Sequence, residues 1–545
     1  GVFMMEVKEI YLSPTTKIAD DYLLQQKNIF SFFAYDCFAK DTYKERLEEL
    51  KKRTYQREKL VNALSSYMKN VMYGQKGLET AKKLLDPNAV VVVGGQQPGV
   101  FTGPLYTIYK IVTIIQLAKK FELEYNVPVV PVFWIAGEDH DFDEINHVYV
   151  PQGRSLKKLS LETKSEKKSP LAYLQLNKEE LKNFMKEMFQ SMPETKHTKN
   201  LLEAIELILE RSSTYTDFFA HLISWLFQEE GLVLLNSADP NIRRLEGDFF
   251  AQIIEKNVQI YEAFKQQTSR LVNLGYPAPV ELQEDHACLF YVDEGKREKI
   301  TRNADGTFFV GTKQLTKEQL VEIARNHPEK LSNNVVTRPV MQEFLLPVLA
   351  FVGGPGEIAY WSTLKGVFSL FDFAMPPVVP RLSFTILEEK HEKWMKEFQL
   401  NIEDAFSRIG DFKEQWLQKQ KQWDLEQQFA DAKELISKAH FPLQKLTYEI
   451  CPSLKPFSEK NLAIIHSQLD LLKKKLETEI RSQFETELTR FDILQNTLQP
   501  LNKPQERIYN IFYFLNLYGM SLVMFLCQND WEINEKHKIL SLLFS

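Results

Sequence analysis

The stretch Val90–Lys110, VVVVGGQQPGVFTGPLYTIYK, decides the fold. Its opening run of valines is too apolar for a half-exposed strand and predicts a buried strand of a parallel sheet. A glycine-rich turn follows, and Tyr106–Lys110 open a long apolar segment with helical spacing. A strand, a glycine loop and a helix in this order leave backbone N–H groups at the helix start, where an anion or nucleotide can bind. A tight turn without a ligand remains the alternative.

The glycine spacing separates this loop from two common nucleotide-binding motifs. It has neither the G-x-G-x-x-G spacing of dinucleotide dehydrogenases nor the Gly-Lys-Ser/Thr ending of P-loop NTPases. The sequence therefore favours neither class.

A second strand and an acidic loop complete a β-α-β unit. Val127–Ile135 is apolar, and Glu138–Asn146 after it places several acids around His140. Ligands in such folds bind beyond the carboxyl ends of the parallel strands, so both loops should open on one cleft. The acidic loop can hold a metal-bound nucleotide or an ammonium group, or exchange a proton. The alternative is the charged first turn of a helix, where acids are also favoured.

Composition limits the class of protein. The 545 residues include 44% hydrophobic and 26% charged side chains and carry a net charge of -6. A chain of this length is expected to form about two to four domains with a large core. The negative net charge argues against nucleic-acid or membrane-surface partners. The four cysteines lack C-x-x-C spacing, which predicts a reducing, cytoplasmic setting and no structural metal. Ile511–Cys527 is apolar but short and interrupted by polar residues, which predicts a buried helix and not a membrane span.

A nearly glycine-free region, 386–498, predicts long helices in an antiparallel hairpin broken near Pro442 and Pro452. Its apolar stripe consists of Ile465, Leu469, Leu472 and Leu476, and continues through Ile480, Phe484, Leu488 and Phe491. The heptad signal is short, so packing within the chain and dimerisation both remain open from the residues alone.

Several long strings resemble, in order along essentially the whole chain, sequences of the BshC family. They are VVVGGQQPGVFTGPLYTIYK, FWIAGEDHDFDEIN, NNVVTRPVMQEF, GGPGEIAYW and PRLSFTILE. The resemblance implies an α/β fold: a Rossmann-like parallel-sheet core similar to class I aminoacyl-tRNA synthetases, two connecting-peptide insertions, and a long α-helical coiled-coil region that forms a homodimer.

The resemblance also implies a reaction. The family is the cysteine ligase family of bacillithiol biosynthesis, so the chain is expected to join the carboxyl of cysteine to the amine of glucosaminyl-malate in the last step of that pathway. By analogy with the synthetases, ATP with Mg²⁺ would activate the carboxyl as an adenylate. A catalytically degenerate binding or regulatory protein of thiol metabolism is the alternative.

The sequence departs from the synthetase pattern at two places. The synthetases carry His-Ile-Gly-His after the first strand and Lys-Met-Ser-Lys-Ser after the last, whereas this chain has Thr102–Tyr106 and Arg381–Thr385. Phosphate charge would then fall to backbone amides, Lys110, Arg381 and His140, which is a weaker set.

We expect the cleft, and not the coiled coil, to bind the substrates. Gln96, Gln97 and Thr102 should meet carboxylates, and Glu138, Asp139 or Asp141 should meet an amine. His140 is the candidate acid–base group, because neighbouring acids favour a protonated imidazole. The predicted catalytic set is His140, Asp139 and Lys110. The predicted substrate-binding set is Gln96, Gln97, Thr102, Gly103, Tyr106, Trp134, Glu138, Asp141, Asn236, Arg338 and Glu357. The predicted nucleotide-binding set is Arg381, Ser383, Thr385, Lys503 and Arg507, with a helix cap as the alternative role of the last two.

The predicted division of the chain has eight segments. They are an N-terminal helical segment 1–87, the first half of the core 88–150, a first insertion 151–230, a core strand 231–240, a second insertion 241–330, the second half of the core 331–385, the helical hairpin 386–498 and a C-terminal helical segment 499–545.

Overall fold

The structure, a computed structural model, describes residues 2–162 and 169–544. Residues 163–168 of the predicted first insertion lie outside the described residues. The chain forms two compact units. The first comprises Gly1–Gln152, Lys157–Glu388 and Lys503–Ser545, and the second comprises Gly153–Leu156 and Glu389–Asn502.

The strands, in chain order, are β1 (Val2–Ile10), β2 (Val90–Gln96), β3 (Val129–Ile135), β4 (His147–Gln152), β5 (Ser155–Ser160), β6 (Val233–Asn236), β7 (His286–Asp293), β8 (Lys296–Arg302), β9 (Phe308–Val310), β10 (Lys313–Leu315), β11 (Leu331–Asn333), β12 (Val348–Gly353), β13 (Val378–Pro380), β14 (Phe384–Glu388) and β15 (His537–Phe544).

The helices are α1 (Lys17–Leu23), α2 (Lys27–Phe30), α3 (Thr42–Lys51), α4 (Arg57–Lys69), α5 (Gln75–Ala81), α6 (Leu105–Tyr125), α7 (Lys178–Gln190), α8 (Thr198–Glu210), α9 (Tyr215–Leu226), α10 (Pro240–Glu255), α11 (Asn257–Asn273), α12 (Lys317–Asn326), α13 (Thr337–Leu345), α14 (Pro355–Trp361), α15 (Lys365–Ser369), α16 (Glu389–Glu397), α17 (Ile402–Ala405), α18 (Ile409–Gln420), α19 (Leu425–Ile450), α20 (Lys455–Gln483), α21 (Glu485–Leu498), α22 (Ile511–Tyr518) and α23 (Ser521–Gln528).

A five-stranded parallel sheet forms the centre of the first unit, in the order β13-β12-β2-β3-β6. The valine run of β2 and the whole of β3 are buried, as expected for strands covered on both faces. This confirms the predicted Rossmann-like parallel core. The carboxyl ends of the strands therefore meet at one edge of the sheet, which we call the carboxyl edge.

Glycine is required where β2 meets its neighbours. A Cβ at Gly94 would lie 2.9 Å from the carbonyl oxygen of Val352 and 3.2 Å from Cδ of Lys110. The loop that follows turns through left-handed backbone at Thr102, with φ 74°, and Gly103, with φ 72°. The close packing at Gly94 brings the end of β2 against α6, the helix that carries Lys110.

A three-stranded sheet joins distant parts of the chain and corrects three predictions. β15 lies between β1, which is antiparallel to it, and β14, which is parallel. The predictions that 1–87 and 499–545 are only helical are therefore wrong, and the helical region begins at Glu389 and not at residue 386. Local periodicity misses these strands because their partners lie far away in the sequence.

The second insertion carries a five-stranded antiparallel sheet, in the order β10-β9-β8-β7-β11. The predicted hairpin turn at Asn303–Gly306 is confirmed, because the Asn303 N–H donates to the Thr307 carbonyl at 2.9 Å. The predicted return to the core at residue 331 is wrong by a few residues, because β11 pairs with β7 of this sheet. Helix α13 is the first core element after it.

The second unit contains the long antiparallel helices α19 and α20. The predicted break near Pro442 is wrong, since α19 continues through this proline as far as Ile450. The break near Pro452 is confirmed as the turn between α19 and α20. A proline removes one backbone hydrogen bond, and a helix of 26 residues tolerates that loss here.

In the C-terminal part of the first unit, α22 and α23 form the buried apolar segment, bent by 105° between the two helices. Among the described residues, no single helix is long and apolar enough to cross a membrane. Within the same residues, only the bent pair of α22 and α23 reaches that length and apolar composition, when the two helices are counted together.

Candidate active site

Most predicted site residues lie at or next to the carboxyl edge. Gln96 ends β2, Glu138 follows β3, Asn236 ends β6, Glu357 follows β12, and Arg381 follows β13. Five strand ends thus bring segments spread between Gln96 and Arg381 to one edge.

Lys110 enters this edge from α6 and is fully buried, with 1% of its surface exposed. Its Nζ donates to the Gly95 carbonyl at 2.8 Å and to Oε1 of Gln96 at 3.3 Å, and forms an ion pair with Glu357. Burial lowers the pKa of Lys110, and the Glu357 carboxylate opposes that shift. Glu357 also accepts from the Gly354 N–H at 3.2 Å. The charge of Lys110 is therefore already matched by a carboxylate.

Arg381 is held by an acid that the sequence did not single out. Its guanidinium donates to Glu506 at 2.9 Å, and Ser383 donates to the same Oε1 at 3.0 Å. His537 lies 2.5 Å from the Ser383 hydroxyl and 2.7 Å from the Thr385 hydroxyl. Burial lowers the pKa of His537 to about 4. Thr385 is fully buried in this network, so the predicted nucleotide contact from its side chain does not fit the structure.

Tyr106 stands between two guanidinium groups. Its ring centre lies 5.5 Å from Cζ of Arg381 and 6.0 Å from Cζ of Arg507, and its hydroxyl accepts from Gln96 at 3.5 Å. Burial raises the pKa of Tyr106. Arg507 is exposed, as is Lys503 nearby in sequence. The guanidinium groups of Arg381 and Arg507 thus both lie close to Tyr106, which follows the glycine loop.

A cleft of about 340 Å³, including open solvent, lies beside this loop. It is lined by Gly99, Gly103, Pro104, Glu144, Ile145, His147, Val148, Tyr149, Arg507, Ile508 and Asn510. The cleft offers one cation and one carboxylate to a small polar ligand.

The acidic loop is organised by an amide. Nε2 of Gln97 donates to Asp139 at 2.5 Å and to Glu144 at 2.6 Å. The other oxygen of Asp139 accepts from the backbone N–H groups of His140 at 2.7 Å and Asp141 at 3.3 Å. Burial raises the pKa of Glu144. The Gln97 side chain is thus turned to carboxylates of the protein, whereas the sequence predicted contact with carboxylates of a substrate.

The Glu138 carboxylate is held in place by hydrogen bonds within the protein. Its Oε2 accepts from Arg243 at 2.5 Å, from Ser332 at 2.8 Å and from the Asn333 N–H at 3.3 Å. Burial acts to raise the pKa of Glu138, but the guanidinium groups of Arg243 and Arg297 and the hydrogen bonds from Arg243 and Ser332 together lower it. Arg243 also contacts Glu246 at 3.2 Å. Because Glu138 is buried, whereas Asp139 is half-buried and Asp141 is exposed, the two aspartates are the better candidates to meet an amine.

The ring of His140 faces a cation. Its Nδ1 lies 3.0 Å from NH1 of Arg297, which comes from β8 of the second insertion. Asp139 precedes it, so its surroundings combine an acid with a guanidinium, where the sequence predicted acids alone. The proton of His140 must be considered together with Arg297.

Buried polar atoms without a protein partner lie near the same edge. Within the described residues, Nε1 of Trp134 and Oγ1 of Thr102 are buried and make no hydrogen bond. The guanidinium of Arg338 lies 5.5 Å from the Trp134 ring centre. Asn236 instead accepts from the Ala238 N–H at 3.1 Å. Unpartnered buried donors are costly, which favours a polar ligand or water at Trp134 and Thr102.

Sequence reasoning missed Arg243, Arg297, Glu506 and His537. Arg243 and Arg297 lie in segments predicted as insertion, and no local pattern connects them with the loop after β3. Glu506 is next to Arg507, which was predicted to bind the nucleotide. An acid beside that cation was the one available signal for Glu506. Within the part of the chain that the structure describes, no group of three or more His, Cys, Asp or Glu is arranged to hold a metal ion.

Comparison with known proteins adds two family matches. The model described as "Bacillithiol biosynthesis BshC, N-terminal Rossmann-like domain" matches residues 5–382. The model described as "Bacillithiol biosynthesis BshC, C-terminal coiled-coil domain" matches residues 384–542. Together they span nearly all of the chain.

Three curated relatives align with this chain over nearly their full length. A protein of Geobacillus sp. (strain WCH70) is 41% identical over 98% of this chain and 99% of its own length. One from Halalkalibacterium halodurans is 43% identical over 94% and 96%, and one from Bacillus cytotoxicus is 40% identical over 99% and 100%. Each carries the name "Putative cysteine ligase BshC". On the family matches and these identities, the chain belongs to the BshC family of bacillithiol biosynthesis.

Proposed function

We propose that this chain is a ligase that joins the carboxyl of cysteine to the amine of glucosaminyl-malate, forming an amide in the last step of bacillithiol biosynthesis. The carboxyl edge carries the proposal, because it presents carboxylates and cations side by side. Asp139 and Asp141 lie on the loop after β3, while Arg507 lies near Tyr106 at the start of α6. We assign the reaction to the cytoplasm, where thiols stay reduced.

Each side of the edge suits one part of the reaction. Amide formation needs an amine that can lose a proton and a carboxylate held next to it. Asp139 is a candidate to receive the ammonium group, since its two oxygens are fixed by Gln97 and by backbone N–H groups. The guanidinium of Arg507 and the amides of the glycine loop can hold a carboxylate or phosphate.

ATP is the proposed activating substrate, with Mg²⁺ accompanying its phosphates. When bound, it would supply the group that makes a carboxylate oxygen a good leaving group. Arg507 and Lys503 are exposed cations that can meet phosphate oxygens, and Thr102 offers a buried hydroxyl without a protein partner. Arg381 can contribute only in part, because Glu506 already balances its charge.

One observation favours the alternative of a binding or regulatory protein. Both buried cations near the glycine loop, Lys110 and Arg381, are paired with carboxylates, namely Glu357 and Glu506. A triphosphate would find less uncompensated positive charge here than in a synthetase with two histidines and two lysines.

One experiment separates the two functions. Purified protein is incubated with cysteine and glucosaminyl-malate, with and without Mg-ATP, and the amide product is measured by mass spectrometry. We expect product only when all three are present. Binding of glucosaminyl-malate by calorimetry, with no product under any donor, would instead support the binding protein.

A variant pair tests the site itself. Asp139→Asn keeps the size of the side chain but removes the charge, and we expect the ligation rate to fall by at least about 100-fold, the low end of general acid–base effects. Asp143→Asn is the matched control, because Asp143 is an exposed acid of the same loop. Equal rates for both variants would remove Asp139 from the site.

We also propose that the protein is a homodimer through the second unit. Several large apolar side chains of α19 and α20 are exposed in the single chain. Those exposed by more than 60% are Leu435, Phe441, Ile450, Phe457 and Leu471. Soluble proteins seldom leave so much apolar surface in water, and a two-fold partner covers it with the same residues.

A further inference from the structure

A cavity lies at the amino edge of the parallel sheet, the edge where the strands begin, opposite the carboxyl edge. Val90 opens β2 there, and Val127 lies two residues before β3. The cavity has a volume of about 820 Å³, including open solvent, against about 340 Å³ for the cleft beside the glycine loop. A strand rises about 3.3 Å per residue, so the seven residues of β2 place this cavity about 20 Å from Gln96. We call it the amino-edge cavity, and it lies apart from the site of the proposed reaction.

Helix α3 supplies one wall of the amino-edge cavity. The residues that line it recur at helical spacings of three and four and so share one face, namely Lys44, Leu47, Glu48 and Lys51. The end of α6 lines the same cavity with Glu124 and Tyr125. The rings of Tyr43 and Phe121, whose centres are 4.4 Å apart, pack α3 against α6. Core side chains therefore hold together the two helices that line the cavity.

The interior of the cavity is apolar. Its apolar side chains come from α3, from the start of β2 and from the segments before β2 and β3, and they are Leu47, Leu50, Pro87, Val90 and Val127. Leu50 is 6% exposed and Val90 is 3% exposed, so the cavity reaches the core. Pockets for small molecules are typically lined in this way, with a few polar groups that orient the ligand. The lining therefore suits a ligand with an apolar body.

The charged side chains of the cavity carry an excess of positive charge. Three cations and two carboxylates line it, and they are Lys44, Lys51, Arg57, Glu48 and Glu124. Lys51 forms a salt bridge with Glu48 at 3.0 Å. The salt bridges of the described residues include neither Lys44 nor Arg57. One positive charge is thus left over after the two carboxylates are counted.

Arg57 keeps hydrogen-bond donors for a ligand. Its NH1 donates to the carbonyls of Leu84 at 3.1 Å and Ala89 at 2.9 Å, and its NH2 donates to the Pro87 carbonyl at 3.0 Å. A guanidinium has five N–H groups, so these three bonds to described residues leave two donors, on Nε and NH2. Burial lowers the pKa of Arg57, and a carboxylate beside the guanidinium would oppose that shift.

We propose that the amino-edge cavity is a binding site for a small amphipathic monoanion, a molecule with an apolar body and one carboxylate. The apolar side chains cover the body, and Lys44 and Arg57 attract the carboxylate. A single carboxylate matches the one excess positive charge, whereas a phosphate monoester carries a charge of about -1.5 to -2. This site goes beyond the proposed function and does not depend on it.

Calorimetry with the full chain tests the charge of the ligand. The probes are octanoate, octylamine and 1-octanol, which have aliphatic chains of the same length and differ in the polar end. We expect octanoate to bind at least about 10-fold more tightly than either of the others, a difference of about 1.4 kcal/mol. Octanoate that binds no more tightly than octylamine, or that does not bind at all, overturns the proposal.

Two variants test the place of binding. Leu47→Trp puts a large ring in place of a half-buried side chain of the cavity, and octanoate binding should be lost. Lys44→Met removes one attracting charge, and the affinity should fall about 3–5-fold, as expected for a solvent-exposed charge pair. Leu207→Trp and Lys52→Met are the matched controls, because both side chains are exposed and lie outside the cavity. An affinity that Leu47→Trp leaves unchanged contradicts the proposed site.

A crystal of the wild-type protein soaked with octanoate decides the location without any variant. We expect the aliphatic chain to lie against Leu50 and Val90. Octanoate found on the α19–α20 hairpin or at the carboxyl edge, and not in the amino-edge cavity, overturns the proposal even if neither variant folds. The presence or absence of amide product bears only on the proposed ligase activity, because octanoate binding needs no turnover.

Discussion

The core of the first unit and the α19–α20 hairpin of the second use charge and apolar surface in opposite ways. The core buries charges in matched groups, such as Glu138 with Arg243, and buries most of its large apolar side chains. The hairpin keeps its charges outside, as in the pair of Lys433 and Asp470, and leaves residues such as Ile450 75% exposed. The apolar surface of the core is mostly covered within the chain, whereas that of the hairpin is what the proposed dimer would cover.

The largest effect is expected at the hairpin. Replacing Ile450 and Phe457 together by Glu should put carboxylates into the proposed interface, where burying unpaired charge is very costly. Light scattering should then give 63.7 kDa, the mass of one chain, whereas the proposed dimer predicts twice that value for the wild type. Leu123→Glu is the control, because Leu123 lies on α6 of the core and is 86% exposed. A wild type that already has the mass of one chain would remove the contrast between the two regions.

The next effect concerns the buried charges of the core. Arg243→Met leaves the Glu138 carboxylate buried without the cation of its ion pair, and the free energy of unfolding should fall by about 3–5 kcal/mol. Urea unfolding followed by tryptophan fluorescence measures this change. A loss below about 1 kcal/mol would mean that the cluster is open to water and that the core does not differ from the hairpin in this respect.

A pH experiment sharpens the account of the same cluster. Arg243 serves two carboxylates, and burial raises the pKa of Glu246 from 4.5 to about 8. The folded state therefore holds a proton that the unfolded state loses, and stability falls as pH rises from about 4.5 to 8. Glu246→Gln removes this penalty, so at pH 8.5 the variant should be more stable than the wild type by about 1–3 kcal/mol, and at pH 4.5 by little or nothing.

Glu138 should respond in the opposite direction. Its pKa is lowered, so its ionised form stabilises the fold above the usual pKa of Glu, and that contribution disappears as pH falls. Glu138→Gln is thus expected to destabilise at pH 7, which makes it the comparison for Glu246→Gln. Similar effects from both variants would show that the two carboxylates share the cation equally.

The smallest effect is expected at an exposed ion pair of the second unit. Arg490 lies 3.2 Å from Glu397, with side chains 34% and 44% exposed. Arg490→Met should change the free energy of unfolding by no more than about 1 kcal/mol, because water and salt screen such pairs. The same urea titration gives this value, and a loss as large as that of Arg243→Met would contradict the distinction drawn here.

Local patterns predicted the parts of this fold that are locally determined. The valine run of β2, the apolar β3 and the turn at Asn303–Gly306 each carry their own signal within a few residues. The pairing of Glu138 with Arg243 and of Arg381 with Glu506 carries none, since each joins segments more than a hundred residues apart. The sequence therefore located the carboxyl edge but not the partners that fix its charges. The effect of Pro442 on the helix was overestimated, because a long helix tolerates a single proline.

The pairing of β1 with β15 has a consequence for how the chain is made. Val7 lies beside Leu540, so β1 leaves the ribosome more than 500 residues before the strand that pairs with it is made. Until then β1 and β14 have no partner for their backbone groups, and unpaired strands of this kind invite association with other chains. Formation of this sheet is thus tied to the synthesis of β15, and the growing polypeptide is expected to need protection from aggregation up to that moment.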